Sequence, residues 1–99
     1  MRLVFAKDSL RSLWEDEKYK PNGLDPEAVA AFRKKVQLLQ AASSEIELRN
    51  FRSLNLEKLK GDRQGQYSIR LTRKWRLILQ FKTDDEGRTV LILELCDYH

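Results

Sequence analysis

The first half of the chain places its apolar residues at the spacing of α-helices. A first helix is predicted over 8–18, and a second begins at Asp25 and Pro26, because aspartate caps free amides and proline suits the first turn. Apolar residues recur along one face of this second helix, over 29–39. A serine and a glutamate at the ends of Ser44–Glu47 form a capping box, which predicts a short third helix.

The second half of the chain changes to an alternation of apolar and polar residues with period two. Segments 67–71 and 75–81 therefore predict two half-buried strands. Segment 89–96 is apolar on both faces at its centre, which predicts a strand inside the sheet, and the short apolar stretch within 1–6 suits an edge strand. Helices followed by strands predict an α+β fold, with N-terminal helices packed on one face of a small twisted antiparallel sheet and a single domain over 1–99.

The connection between the two half-buried strands determines which residues face each other. The shortest loop that puts their apolar residues on one face is Thr72–Lys74, and this register places Arg70 opposite Arg76 on the other face. Like charges at such positions are destabilising, so stability alone does not explain the pair. Each arginine could instead pair with a carboxylate such as Glu94 or Asp97, or a bulge could move one aside. We favour a two-arginine clamp for a phosphodiester.

Positive charge is concentrated in one segment of the chain. The net charge is +4, but residues 58–76 hold seven basic residues and one acidic residue, so the remaining eighty residues sum to -2. This distribution favours a polyanionic partner. Elsewhere, Arg33–Lys35 on the second helix are expected to form a solvated face.

Other features of composition exclude several classes of protein. No apolar run approaches the ~20 residues of a membrane span, and no long apolar stretch follows Met1, so we expect a cytoplasmic protein without a membrane partner. A single cysteine, Cys96, and a single histidine, His99, allow neither an intrachain disulfide nor a four-ligand zinc site, and no cofactor or metal is expected. Cys96 is interpreted as a small buried apolar residue, and Phe32 and the two tryptophans are assigned to the core.

Four short motifs occur in order along the second half of the chain. They are Leu59-Lys60-Gly61-Asp62-Arg63, Gly65-Gln66-Tyr67-Ser68-Ile69-Arg70, Trp75-Arg76 and Asp97-Tyr98-His99. Together with the length and the preceding helices, they resemble the HigB family, the plasmid maintenance killer proteins of the RelE/ParE toxin superfamily. The resemblance implies a RelE-like, microbial ribonuclease-like fold and a toxin that inhibits translation by cleaving mRNA on the ribosome. It also implies a cognate helix-turn-helix antitoxin of the HigA type, with operator DNA contacted only through the toxin–antitoxin complex.

The resemblance further implies a role for each motif residue in metal-independent cleavage, in which the ribose 2′-hydroxyl attacks the adjacent phosphorus. Arg70 and Arg76 would stabilise the charge that grows on the phosphoryl oxygens, and Lys60 would support the same charge or hold the message. His99 would act as the general acid. Asp97 would accept the 2′-hydroxyl proton or orient a neighbouring arginine.

The chain departs from the family pattern just before the Leu-Lys-Gly motif. Some relatives carry a histidine there, where this chain has Glu57 and Lys58, so the acid and base roles are left among Asp97, Glu57 and His99. RNA contacts are expected from Lys58, Arg63, Arg73, Lys74 and Tyr98. Tyr98 could equally be a core residue of the last strand instead of stacking on a splayed base.

Two other functions are compatible with the same sequence. A ParE-like toxin would share the fold but poison DNA gyrase, and a supercoiling assay distinguishes it. A non-catalytic nucleic-acid-binding module would bind in a salt-dependent manner and leave the RNA uncut.

Overall fold

The computed structural model describes residues 1–85 and 87–97. In chain order its elements are β1 (Arg2–Phe5), α1 (Asp8–Glu15), α2 (Pro26–Ala41), α3 (Glu45–Arg49), β2 (Glu57–Lys58), β3 (Tyr67–Arg70), β4 (Trp75–Asp84) and β5 (Gly87–Asp97). Two short 3-10 turns, Arg52–Leu54 and Gly61–Arg63, flank β2. The predicted succession of helices and then strands is confirmed.

The helix boundaries follow from capping groups. The Asp25 carboxylate accepts a hydrogen bond from the Ala28 amide at 2.8 Å, and Pro26 opens α2 as predicted. Helix α1 ends at Glu15, before the predicted end near Lys18, because the chain turns at Asp16, whose carboxylate accepts the Lys18 amide.

The predicted capping box opens α3 in a slightly shifted form. The Ser44 hydroxyl accepts the Glu47 amide, while the Glu47 carboxylate accepts the amide of Ser43 instead of that of Ser44.

The five strands form one sheet in the order β1-β5-β4-β3-β2. Strands β2 to β5 pair antiparallel, as predicted, but β1 runs parallel to β5. A parallel neighbour needs a long crossover, and the chain between these two strands includes the helices and the other three strands. Strand β5 has a neighbouring strand on each side. This confirms the predicted position inside the sheet, which rested on the apolar residues that the centre of β5 carries on both faces.

The helices cover one face of the sheet. Phe32, Val36 and Leu39 of α2 form a single buried cluster with odd-numbered residues of β3 and β4, including Ile69 and Leu77. Because side chains alternate along a strand, the even-numbered residues of β3 and β4 point to the opposite face. Both tryptophans pack partly buried against the cluster, and Phe32 is fully buried, as expected.

A β-bulge in β5 determines which of its residues reach that opposite face. Ile78 pairs with Glu94, but the next residue of β4, Leu79, pairs with Ile92, so Leu93 is the extra residue. Ile92 is fully buried in the core, whereas Glu94 lies opposite the even-numbered Ile78. The bulge therefore reverses the alternation and turns the last part of β5 toward the face that the helices leave uncovered.

Candidate active site

The predicted arginine pair is present on this uncovered face. Arg70 of β3 pairs with Arg76 of β4, and the Leu71 amide donates to the Trp75 carbonyl at 2.9 Å to close the hairpin. The Thr72 hydroxyl accepts the backbone amide of Trp75, which stabilises the tight loop. The register derived from the loop length is confirmed.

The two arginines differ sharply in environment. Arg70 is exposed, whereas Arg76 is only 6% exposed. A guanidinium Nη1 of Arg76 lies 3.6 Å from Glu57 Oε2 and 3.3 Å from the Ser68 hydroxyl. A buried cation needs such compensation, because desolvation without a partner is costly. Of the two arginines expected to form a clamp, Arg76 is therefore the buried one and Arg70 the exposed one.

Arg76 lies in the wall of a cavity of about 190 Å³ on this face. The other lining residues are Glu57, Leu59, Arg63, Ser68, Ile78 and Cys96. Three apolar side chains and two arginines therefore surround a space open to one exposed carboxylate, that of Glu57. Cys96 is half-buried in this wall as the cross-strand neighbour of Arg76.

The second arginine of the cavity is Arg63, not Arg70. The 3-10 turn Gly61–Arg63 follows β2 and brings Arg63 back over the sheet, where it donates to Glu94 Oε1 at 2.6 Å and to Gln66 Oε1 at 3.1 Å. Glycines with positive φ begin and follow this turn: Gly61 at 66° and Gly65 at 89°. Arg63 is expected from the sequence as an RNA contact, and the structure adds a carboxylate that holds it in place.

The other expected site residues lie around this cavity. Lys58 and Lys60 line a second groove of about 450 Å³, which shares the Leu59 wall with the cavity. Arg73 and Lys74 are exposed in the β3–β4 hairpin.

Asp97 does not line this cavity. It pairs with Trp75 in the register, which places it on the face opposite to Arg76. Its Oδ2 lies 3.8 Å from the Lys74 ammonium, which also stands 5.6 Å from the Trp75 ring centroid. Tyr98 and His99, the remaining expected site residues, lie outside the described residues.

Sequence reasoning did not place Ser68 or Cys96 in the site, and it considered Glu94 only as an alternative partner of Arg70 or Arg76, whereas Glu94 pairs with Arg63. The alternation of β3 contains the signal for Ser68, because it shares parity with Arg70. Glu94 and Cys96 share parity with the core residue Ile92, so only the bulge at Leu93 reveals their position.

The arrangement is suited to binding a phosphodiester and moving a proton beside it. Arg76 and Arg63 are cations held by surrounding groups, which favours negative charge at the cavity. The Glu57 carboxylate is more than half exposed, so it can accept a proton from a group that enters. The described residues contain no cluster of three or more His, Cys, Asp or Glu side chains that could hold a metal ion.

The Lys35 side chain connects α2 with the 3-10 turn Arg52–Leu54 and with the end of β3. The Lys35 ammonium on α2 donates to the Arg70 carbonyl at 2.6 Å and to the Ser53 carbonyl at 3.1 Å. Burial lowers the pKa of Lys35, and the neighbouring charges of Lys34 and Arg70 lower it further. Lys35 is therefore part of the structure and not simply a member of the expected solvated face.

Replacing Lys35 by methionine is expected to remove a pH-dependent part of the stability. Because the pKa is lowered in the folded state, the unfolded chain holds more protons at alkaline pH below the ordinary value of 10.5. The free energy of unfolding of the parent protein should therefore rise with pH relative to Lys35→Met. Urea unfolding at several pH values in this range measures the difference, with Lys82→Met, on an exposed residue of β4, as the control. If the free energy of unfolding of the parent minus that of Lys35→Met stays constant or falls as pH rises, the assignment is contradicted.

In the described ranges, none of the helices combines the length and apolar character needed to cross a bilayer. The backbone resembles that of a YoeB/ParE toxin from Agrobacterium tumefaciens, with a TM-score of 0.62, 17% identity and full coverage of both chains. At this identity the likeness concerns the fold, which is that of the RelE/ParE class of small toxins.

The sequence comparisons assign the chain to one family within that class. A family model described as a RelE-like toxin of type II toxin-antitoxin system HigB matches residues 3–99. Toxin HigB-1 of Vibrio cholerae is 36% identical over 83 residues, which are 82% of this chain and 84% of that protein. Endoribonuclease HigB of Proteus vulgaris is 34% identical over 95 residues, 96% of each chain. The chain belongs to the HigB-like family, and its protein partner is an antitoxin.

Proposed function

We propose that this toxin is an endoribonuclease that cleaves mRNA on the ribosome and thereby stops translation. The observation that carries the proposal is the buried Arg76 in the wall of a cavity on the uncovered sheet face, next to the exposed carboxylate of Glu57. The full-length similarity to Endoribonuclease HigB of Proteus vulgaris supports the same activity.

In the proposed reaction the RNA supplies its own nucleophile. The ribose 2′-hydroxyl attacks the adjacent phosphorus, and the bond to the 5′-oxygen breaks. In this proposal, side chains of the toxin and not a metal ion stabilise the charge and transfer the protons. Arg76 stabilises the negative charge that develops on the phosphoryl oxygens, and Arg63 adds a second cation beside it. Lys60 and Arg70 hold the strand at the two sides of the cavity.

Proton transfer is assigned by position. Among the described residues that line the cavity, Glu57 supplies the carboxylate that contacts Arg76, so we assign it the role of accepting the 2′-hydroxyl proton. Glu94 is engaged by Arg63 at 2.6 Å, and Asp97 pairs with Trp75 on the other face of the sheet, which makes both less suited to that role. His99 remains the proposed acid that protonates the leaving 5′-oxygen.

The proposed partners follow from this activity. The antitoxin is a helix-turn-helix protein of the HigA type, and the toxin contacts operator DNA only through it. Lys58, Arg73, Lys74 and Tyr98 contribute to holding the message. The site of action is the cytoplasm, where messages are translated.

Primer extension on a translated message tests the proposal directly. With the purified toxin we expect new RNA ends within the reading frame, and with heat-denatured toxin none. A parallel supercoiling assay with purified gyrase should show no inhibition. A message that stays intact on translating ribosomes, or inhibition of gyrase, contradicts the proposal.

A further inference from the structure

Basic residues lie on three segments that meet where the helix layer approaches the site. The Lys35 ammonium reaches the Ser53 carbonyl in the 3-10 turn Arg52–Leu54 and the Arg70 carbonyl at the end of β3, so these segments meet at α2. We call the group formed by Lys34, Lys35, Arg52 and Arg70 the basic junction. Lys34, Arg52 and Arg70 are exposed.

The basic junction lacks acidic partners within residues 1–85 and 87–97. In those ranges the ion pairs of the protein involve other cations, such as Arg63 with Glu94 and Arg88 with Glu45. The charges of Lys34 and Arg70 both lower the pKa of Lys35, so the cations act on one another. Adjacent like charges reduce stability, and an external polyanion relieves that repulsion.

The junction is continuous with the candidate active site through Arg70. Arg70 is the cross-strand partner of Arg76, whose side chain lines the cavity, while its carbonyl accepts the Lys35 ammonium. Phe51, which directly precedes Arg52 in the chain, is 41% exposed. Exposed cations and an exposed aromatic side chain on neighbouring positions suit single-stranded RNA, whose phosphates meet the charges while a base stacks on an aromatic ring.

We propose that the basic junction is a second RNA-binding surface, which holds the phosphate backbone of the strand beyond the cleavage cavity. It extends the track of RNA contacts from the sheet face, across Arg70, to α2. The inference rests on the proposed function to the extent that both require RNA as the ligand. It predicts that binding can be weakened without touching the residues that carry the chemistry.

Binding of an uncleavable RNA tests the surface. The probe is a fluorescent oligonucleotide of about 12 nucleotides, a length in the range of single-strand sites, with 2′-O-methyl groups that remove the nucleophile. Lys34→Gln/Arg52→Gln removes two charges of the junction, and Lys7→Gln/Arg11→Gln removes an exposed lysine and an exposed arginine at the start of α1. We expect the junction variant to bind roughly tenfold more weakly at low salt, with a salt slope shallower by about 1.4 for two lost phosphate contacts, and the control to bind like the parent. Thermal unfolding checks that both variants fold.

The outcomes separate this surface from the alternatives. Equal affinity in the junction variant and the parent overturns the inference, and so does an equal loss in both double variants, which reflects net charge alone. Unchanged RNA binding with weaker antitoxin binding also overturns it and assigns the surface to a protein partner. A loss seen with message-free ribosomes but not with the oligonucleotide overturns it as well, because the phosphates that the surface holds are then those of ribosomal RNA and not those of the strand in the cavity.

Failure of this inference is distinguishable from failure of the proposed function. If the parent protein cleaves translated message while the junction variant binds RNA normally, only the second surface is wrong. If the parent cleaves nothing while the junction variant alone loses RNA binding, the surface stands and the nuclease proposal fails.

Discussion

Replacing Arg76 by alanine is expected to lower the rate of RNA cleavage by about 10²- to 10³-fold, because a preorganised cation at the developing negative charge contributes on that scale. Arg76 is well placed for this role, since it is buried and its guanidinium contacts Glu57 and Ser68. Single-turnover cleavage of a message on programmed ribosomes measures the effect on the chemical step.

Two further arginine variants make the result specific. Arg11→Ala removes an exposed arginine that pairs with Asp8 on α1, so cleavage should be unchanged. Arg76→Lys keeps the charge but loses the planar two-pronged geometry, and an intermediate rate is expected. Thermal unfolding must show that the Arg76 variants are folded at the assay temperature. A folded Arg76→Ala protein that cleaves within tenfold of the parent rate is incompatible with the assignment.

Replacing Glu57 by glutamine is expected to lower the rate constant of cleavage by about 10²-fold, in the lower part of the range for a general base. The amide keeps the size of the side chain but cannot take the 2′-hydroxyl proton. The acidic limb of the pH–rate profile should therefore disappear in Glu57→Gln, whereas loss of the contact with Arg76 alone would lower the rate at every pH.

Asp97→Asn is the matched comparison for Glu57. It also replaces a carboxylate by an amide, but on the face that carries Trp75 and beside Lys74. We expect the acidic limb to persist in this variant. If the limb persists in Glu57→Gln and disappears in Asp97→Asn, the base is Asp97 and the positional argument is wrong.

Local chemistry explains which features of the fold are predictable from the sequence. The helix starts at Asp25 and Ser44 follow from side chains that cap nearby amides, and the pairing of Arg70 with Arg76 follows from a short loop and the alternation of two strands. Each depends on residues close together in the chain. The family resemblance likewise rests on motifs that are contiguous in sequence, and the family match confirms it.

The site required information that no single segment contains. Arg70 and Arg76 look equivalent in the sequence, yet Arg70 is exposed, whereas Arg76 is buried and shares the wall of one cavity with Arg63. Separate strands supply Glu57 and Ser68 to the same guanidinium, and burial of a charge depends on such distant partners.

The sequence by itself determined the three helices and all strands but β2, the register of the central hairpin and the family, because these depend on local periodicity and contiguous motifs. Only the tertiary structure decided the composition of the cavity and the parallel pairing of β1 with β5. The bulge at Leu93 shows the physical reason: one extra residue reverses the alternation, and packing against β4 places Ile92 in the core while Glu94 and Cys96 face the site.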